Sequence, residues 1–191
     1  MEAPDFWDNP EKSQESMKNL KSMKDDIAIY AKLKDEFDEI ETLIEMAAEE
    51  NDESLIPEIQ DLLDDFRKTY DDIRIKTLLS GEYDKKDAII KLNAGAGGTE
   101  SCDWAGMLYR MYTRWAERKG FTVEVLDYLD GDEAGIKSVT FEVHGENAYG
   151  YLKSEKGVHR LVRISPFNAQ GKRQTSFVSC DVMPDIEGDI E

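Results

Sequence analysis

Between Leu20 and Ala47, apolar residues recur at Leu20, Met23, Ile27, Tyr30, Leu33, Phe37, Ile40, Ile44 and Ala47, in steps of three and four, while charged residues populate the other face. An α-helix puts such a series on one face, so the spacing predicts a long amphipathic helix beginning near Met17. The segment EENDES interrupts the pattern. Pro57 then stands where a first helical turn accepts proline, and a second stripe runs through Ile59, Leu62, Leu63, Phe66, Tyr70 and Ile73. Two such helices across a short connection predict an antiparallel hairpin, alone or in a small bundle, with its stripes as core.

The charge is unevenly shared. Residues 1–87 hold 26 acidic against 12 basic side chains, a net of −14, whereas residues 88–191 hold 16 against 12, a net of −4. An acidic helix face is ordinarily a solvated one; docking on a basic protein is the alternative use. Within the second half, Lys153, Lys156, Arg160, Arg163, Lys172 and Arg173 face Glu155 alone, a local sum of +5. That stretch could approach phosphates while the rest of the chain could not. No apolar run nears the roughly 20 residues of a membrane span, and MEAPDFWDNPEK has neither a basic leader nor an apolar signal segment, so a cytoplasmic chain without a membrane partner is expected. Cys102 and Cys180 lack metal-ligand spacing and are expected to be buried, reduced thiols.

Around SGEYDKKDAI the period changes, which divides the chain into an expected acidic helical domain, 1–84, and an α/β domain, 85–191. AIIKLNAG reads as a strand ended by GAGG. Thr99 to Lys119 carries Trp104, Leu108, Met111 and Trp115 at helical spacing, and Gly120 suits a helix C-terminus. Strand patterns follow in FTVEVLDY, IKSVTFEVHG, VHRLVRIS and TSFVSCDVM, separated by turn-rich segments. The expected fold class is α+β: a helical hairpin or bundle, then an antiparallel sheet with a helix packed on one face.

Several chemistries lack their residues. GAGGTE opens a helix after a strand but has neither the Lys-Ser/Thr of a phosphate-binding P-loop nor the GxGxxG spacing. It puts Glu100 in the first turn, where a carboxylate is stabilised by the helix dipole and repels phosphate, yet can accept from an uncharged donor such as a base imino group. Glycines for a tight turn with ordinary first-turn charge compensation explain the same residues equally well. His144 and His159 are too far apart for a metal pair and read as strand residues with local partners, so no metal is expected. No nucleophile–base arrangement is legible, and neither a cofactor nor a small-molecule substrate is indicated.

The loop in VRISPFNAQGKRQTSF is different. Single-stranded nucleic acid is recognised by an aromatic platform, short polar side chains for base edges, and nearby cations. Phe167, Ser165 with Thr175, and Arg163 with Lys172 and Arg173 supply all three, and Pro166 restricts both itself and Ser165. If VHRLVRIS and TSFVSCDV pair, Ser165 and Thr175 stand at the two feet of one loop. An ordinary exposed hairpin loop with an incidental phenylalanine accounts for the same composition.

NAGAGGTESCDWAGMLYRMYTRWAERKGF, LDYLDGDEAGIKSVTFEVHGENAYGYLKSEKGVHRLVRISPF and QTSFVSCDVMP closely resemble the release factor 2 branch of the bacterial class I peptide chain release factors, and PDFWDNPEKSQ looks like that family's N-terminal region. The resemblance implies a first domain shortened at its N-terminus and a codon-recognition domain truncated at its C-terminus, reading UGA and UAA in translation termination. The Ser-Pro-Phe tripeptide, Ser165, Pro166 and Phe167, separates this branch from release factor 1, which has Pro-x-Thr there. By the same resemblance Gly97 and Glu100 meet the first uridine, Ser165 bonds the second base, and Val162 and Thr175 lie beside the third. Gln174 replaces a histidine that the family wedges between the second and third bases. The implied partners are the small-subunit decoding site of the ribosome, the mRNA stop codon and proteins of the stalk base. The family's Gly-Gly-Gln tripeptide, which promotes peptidyl-tRNA hydrolysis, is absent from the sequence, so this chain is expected to be no enzyme as it stands. The other reading is an acidic ribosome-binding adaptor that reads no codon.

Overall fold

The computed structural model describes residues 10–186, which form two compact units, one extending to Ile75 and one beginning at Lys76. In the first, the long apolar series forms α1, Pro10–Glu50. Asn51 ends it with φ 51°, a left-handed conformation that asparagine adopts readily at helix ends. Asp52 then caps a 3-10 turn, Glu53–Leu55, by accepting from Ser54 N at 2.9 Å. The chain re-enters helix as α2, Ile56–Leu78, with Pro57 in its first turn.

The expected hairpin core is only partly realised. Phe37 meets Phe66, at nearly equal distance on the other side of the turn, with ring centroids 6.3 Å apart, and Ile40 is buried. Farther from the turn Ile27 and Tyr30 are each 70% exposed, so the stripe is largely an apolar surface. Length explains this: α1 with 41 residues extends roughly 61 Å and α2 with 23 roughly 34 Å. A lone, shorter partner cannot cover the far half of α1.

The second unit is a five-stranded, wholly antiparallel sheet with a helix on one face, so the fold class is α+β as expected. Its strands are β1 (Ala88–Ala94), β2 (Thr122–Asp130), β3 (Ile136–His144), β4 (Gly157–Ile164) and β5 (Arg173–Pro184), in the spatial order β2-β3-β1-β5-β4. The helix α3, Thr99–Arg118, joins β1 to β2. Alternate residues build the core: Ile90 and Leu92 of β1, Val139, Phe141 and Val143 of β3, and Val178, Cys180 and Val182 of β5 are all buried. α3 meets them with Ser101, Ala105, Leu108, Tyr112 and Ala116, a line of mostly small residues that lets the helix lie close to the sheet. Met111, on the expected stripe, is exposed instead, while Trp104 and Trp115 pack at the core's margin. Gly120, at φ 74°, terminates the helix as its position suggested.

A short helix absent from the expectations, α4, Ala148–Leu152, links β3 to β4. It explains why the units divide ahead of the expected 84/85 boundary: the segment before β1 is stitched to it. Gly150 N donates to Asp84 O and Tyr149 N to Lys86 O, each at 3.0 Å. The Asp84 carboxylate, nearly inaccessible, takes Lys153 Nζ at 2.6 and 2.8 Å and Gly81 N at 2.8 Å. Cys102 is partly buried, Cys180 buried, and neither forms a disulfide. Among the described residues no helix is long and apolar enough to cross a membrane.

Candidate nucleic-acid interface

Two stretches separated by some sixty residues in sequence converge at one end of α3. The first is the turn from β1 into the helix. Gly97 has φ 133°, and a Cβ there would stand 2.8 Å from the Ser176 Cβ, so both conformation and space demand glycine. That turn delivers Glu100 into the first helical turn, where the helix dipole favours its charge.

The second stretch is the loop between β4 and β5. Ser165 N donates to Lys172 O at 3.3 Å as the strands part, and Asn168 then holds the turn, accepting from Gln170 N through Oδ1 and from Gly171 N through its carbonyl, both at 2.9 Å. Within the tripeptide, Ser165 Oγ accepts from Phe167 N at 3.1 Å, while Pro166 is exposed and the Phe167 ring is 48% exposed. The loop thus buries its serine and presents its aromatic.

Glu100 and Ser165 join the two stretches. Both residues are buried, and Ser165 Oγ donates to Glu100 Oε2 at 2.7 Å. The other carboxylate oxygen accepts from Arg163 Nε at 2.5 Å, and Arg163 Nη2 reaches Asp103 Oδ2 at 2.5 Å. Burial pushes the Glu100 pKa up, but hydrogen bonds from Arg163 and Ser165, with the arginine's charge, outweigh it and hold the carboxyl below its ordinary value. The hydrogen bond to Glu100 likewise leads in raising Arg163, so the pair stays ionised.

This geometry corrects two expectations. Arg163 is not a solvent-facing cation for a nucleic-acid backbone; its charge is taken up by Glu100 and Asp103. Of the six cations of the basic stretch, Lys153 and Lys156 are also paired, with Asp84 and Asp181, which leaves Arg160, Lys172 and Arg173 without an ion-pair partner among the described residues. Second, Ser165 and Thr175 are not opposite one another. The β4–β5 register puts Val162 across from Thr175 and Arg163 across from Gln174. Arg163 and Gln174 therefore lie on the helix side of the sheet, and Val162 and Thr175 on the open side. Lys172 and Arg173, both exposed, flank the loop's return.

Three participants were not anticipated. Asp103 and Met107, the latter 3.5 Å from Arg163 Nη1 through its sulfur, follow Glu100 at helical intervals of three and four, the only sequence signal they carry. Ser176 is fully buried beneath Gly97 with an Oγ that has no hydrogen-bond partner.

A glycine-rich helix tip and a Ser-Pro-Phe loop thus share a buried Glu–Ser–Arg network in an α+β unit, and a family model described as the PCRF domain matches residues 1–180. The chain belongs to the PCRF domain family. It is 53% identical over 189 residues to peptide chain release factor 2 of Clostridium perfringens (strain ATCC 13124), covering 99% of this chain and 52% of that protein. Against the protein of the same name from Exiguobacterium sp. (strain AT1b) it is 50% identical over 191 residues, 100% of this chain and 52% of the other. Among solved structures, release factor 2 of Thermus thermophilus is similar with a TM-score of 0.61 and 41% identity, covering 100% of this chain and 54% of that one. The chain spans about half the length of the curated relatives it matches.

Proposed function

We propose that this chain carries the stop-codon-reading part of translation termination, recognising UGA and UAA in the decoding site of the ribosome through the Glu100–Ser165 junction and the loop around it. The observation that carries the reading is the bond from Ser165 Oγ to Glu100 Oε2, which brings the helix tip and the tripeptide into one site. The name carried by the two relatives described above, peptide chain release factor 2, supplies the biological setting.

The chemistry at the second base follows from the serine's inventory. With its proton on Glu100 and one lone pair on Phe167 N–H, Ser165 keeps a lone pair for the exocyclic amine of adenine; turned off Glu100, the same hydroxyl donates to guanine O6. Either purine is served, and the intramolecular partners prevent an unliganded hydroxyl from standing buried and unpaired. Gly97 and Glu100 at the tip suit the first base. Val162 and Thr175, on the opposite face of β4 and β5, suit a third base that has left the stack of the first two, with Gln174 next to Thr175 on β5 but facing the helix side. Gln174 offers a planar amide where the resemblance implies a histidine. Lys172 and Arg173 take the role of backbone contacts that Arg163 does not fill.

The part assigned to these residues is recognition; peptidyl-tRNA hydrolysis is the task of the Gly-Gly-Gln tripeptide that the resemblance implies for the family. The acidic helical unit suits basic proteins of the ribosomal stalk base better than RNA. Substitution Ser165→Ala tests the reading. Loss of one buried base contact is worth about 1–3 kcal/mol, so binding to UGA- and UAA-programmed ribosomes should weaken roughly fivefold or more. Unchanged binding on both codons would remove Ser165 from recognition.

A further inference from the structure

Away from the loop, the ends of four strands assemble a second polar cluster on the open face of the sheet. Strand alternation puts Glu142 and His144 of β3 on that face with Glu124 of β2, Asp87 immediately before β1 and Asp185 immediately after β5. The backbone fixes the set, since Asp185 N donates to Asp87 O at 3.0 Å.

His144 Nδ1 lies 3.0 Å from Asp87 Oδ2 and 3.6 Å from Glu142 Oε1, and one ligand atom from each of the three residues falls within 4.8 Å of the others. A tetrahedral ion with bonds of about 2.0–2.1 Å to nitrogen and oxygen has ligands about 3.3 Å apart, so the two separations bracket the required spacing. Glu142 Oε1 is buried and faces the imidazole, and the Glu142 carboxyl also meets that of Asp185. The supporting contacts are those of a ligand shell. Gly145 N donates to Asp87 Oδ1 at 2.9 Å, turning Oδ2 toward His144, and Glu124 Oε2 stands 3.6 Å from Nε2, the ring nitrogen facing away from the other two carboxylates.

We propose that Asp87 Oδ2, Glu142 Oε1 and His144 Nδ1 bind a divalent cation of the zinc class, with Glu124 orienting the imidazole and water completing the coordination. Mixed nitrogen and oxygen donors favour zinc over magnesium or calcium, which take oxygen-rich shells. The ion offsets the crowding of carboxylates around one imidazole. Bridging the end of β3 to the residue that opens β1, it acts as a structural clasp for this end of the sheet. Ligand spacing in the sequence conceals the site, because Asp87 is 57 residues from His144.

Titration of the metal-stripped chain with zinc chloride against a chromophoric chelator tests this, with cobalt(II) as a spectroscopic substitute. One equivalent should bind, magnesium chloride should not compete at equal concentration, and cobalt should develop the intense visible bands of tetrahedral coordination. Glu142→Gln and His144→Gln should each weaken zinc binding at least tenfold, and Glu124→Gln less, while His159→Gln should leave it unchanged. Circular dichroism identifies a variant that has lost its fold; Glu142→Gln, which keeps the side chain's shape, decides the matter if His144→Gln does not fold. Absence of stoichiometric zinc binding, or zinc binding that survives Glu142→Gln, overturns the assignment.

Discussion

Replacing Glu100 by glutamine removes one buried charge from the junction of helix and loop and leaves its shape intact. The carboxylate accepts from Arg163 Nε at 2.5 Å and from Ser165 Oγ at 2.7 Å. A glutamine oxygen can keep one of these donors, but its amide nitrogen then faces the other. If Arg163 is kept, Ser165 must turn to accept from the amide in addition to Phe167 N; if Ser165 is kept, two donors oppose each other at Arg163. A hydrogen bond to a charged partner contributes about 1.5–3 kcal/mol, and Arg163 retains Asp103, so a loss of about 2 kcal/mol in the second unit is expected near neutral pH. The sign with pH is fixed by the direction of the shift. Glu100 titrates in the fold below its ordinary 4.5, so its contribution is present above that value and is lost as pH falls through the lower, folded one. The gap between parent and variant should therefore narrow on acidification. Urea unfolding of both proteins, followed by tryptophan fluorescence near pH 7 and again near about pH 3.5, measures it. A change below about 0.5 kcal/mol at neutral pH, or a gap that does not narrow in acid, would refute the argument that this carboxylate is ionised and holds the junction together.

Gly97→Ala should be destabilising by about 1–3 kcal/mol, because the residue combines φ 133° with a Cβ position 2.8 Å from the Ser176 side chain; thermal unfolding reads it, and a neutral result would show that the tip relaxes freely. Removing both Lys172 and Arg173 should weaken binding to stop-programmed ribosomes and flatten the dependence of log affinity on log salt by roughly 1.4, two single-strand phosphate contacts at about 0.7 each, without reordering the codons. An unchanged salt slope would free both residues from backbone contact.

How much of this was legible in sequence depended on whether the determining partners were local. The three-and-four spacing from Leu20 to Ala47 and the alternation in IKSVTFEVHG depend on neighbours a few residues away; the strand formed where expected, and the helix covers the expected span but begins at Pro10, ahead of Met17. The Ser-Pro-Phe loop was legible for the same reason. Arg163 was not, since charge counting cannot tell a solvent-facing guanidinium from one paired with carboxylates sixty residues upstream. The Ser165–Thr175 pairing failed because Asn168 and Gly171 build a turn inside the loop and let β5 begin at Arg173, shifting the register by three residues. Stripe exposure on α1 was hidden because amphipathicity states which face wants cover and says nothing of how long the covering helix will be. The cluster of Asp87, Glu142 and His144 escaped because it is made by strand order alone.

The central claim, that the helix tip and loop read a stop codon, is tested most directly by equilibrium binding of the chain to ribosomes programmed with UGA, UAA, UAG or a sense codon. Tighter binding on UGA and UAA than on UAG and the sense codon is expected, by about fivefold or more for a wrong base that leaves a buried polar group unpaired at about 1–3 kcal/mol. Equal binding to all four would contradict the account and leave an acidic ribosome-binding adaptor in its place.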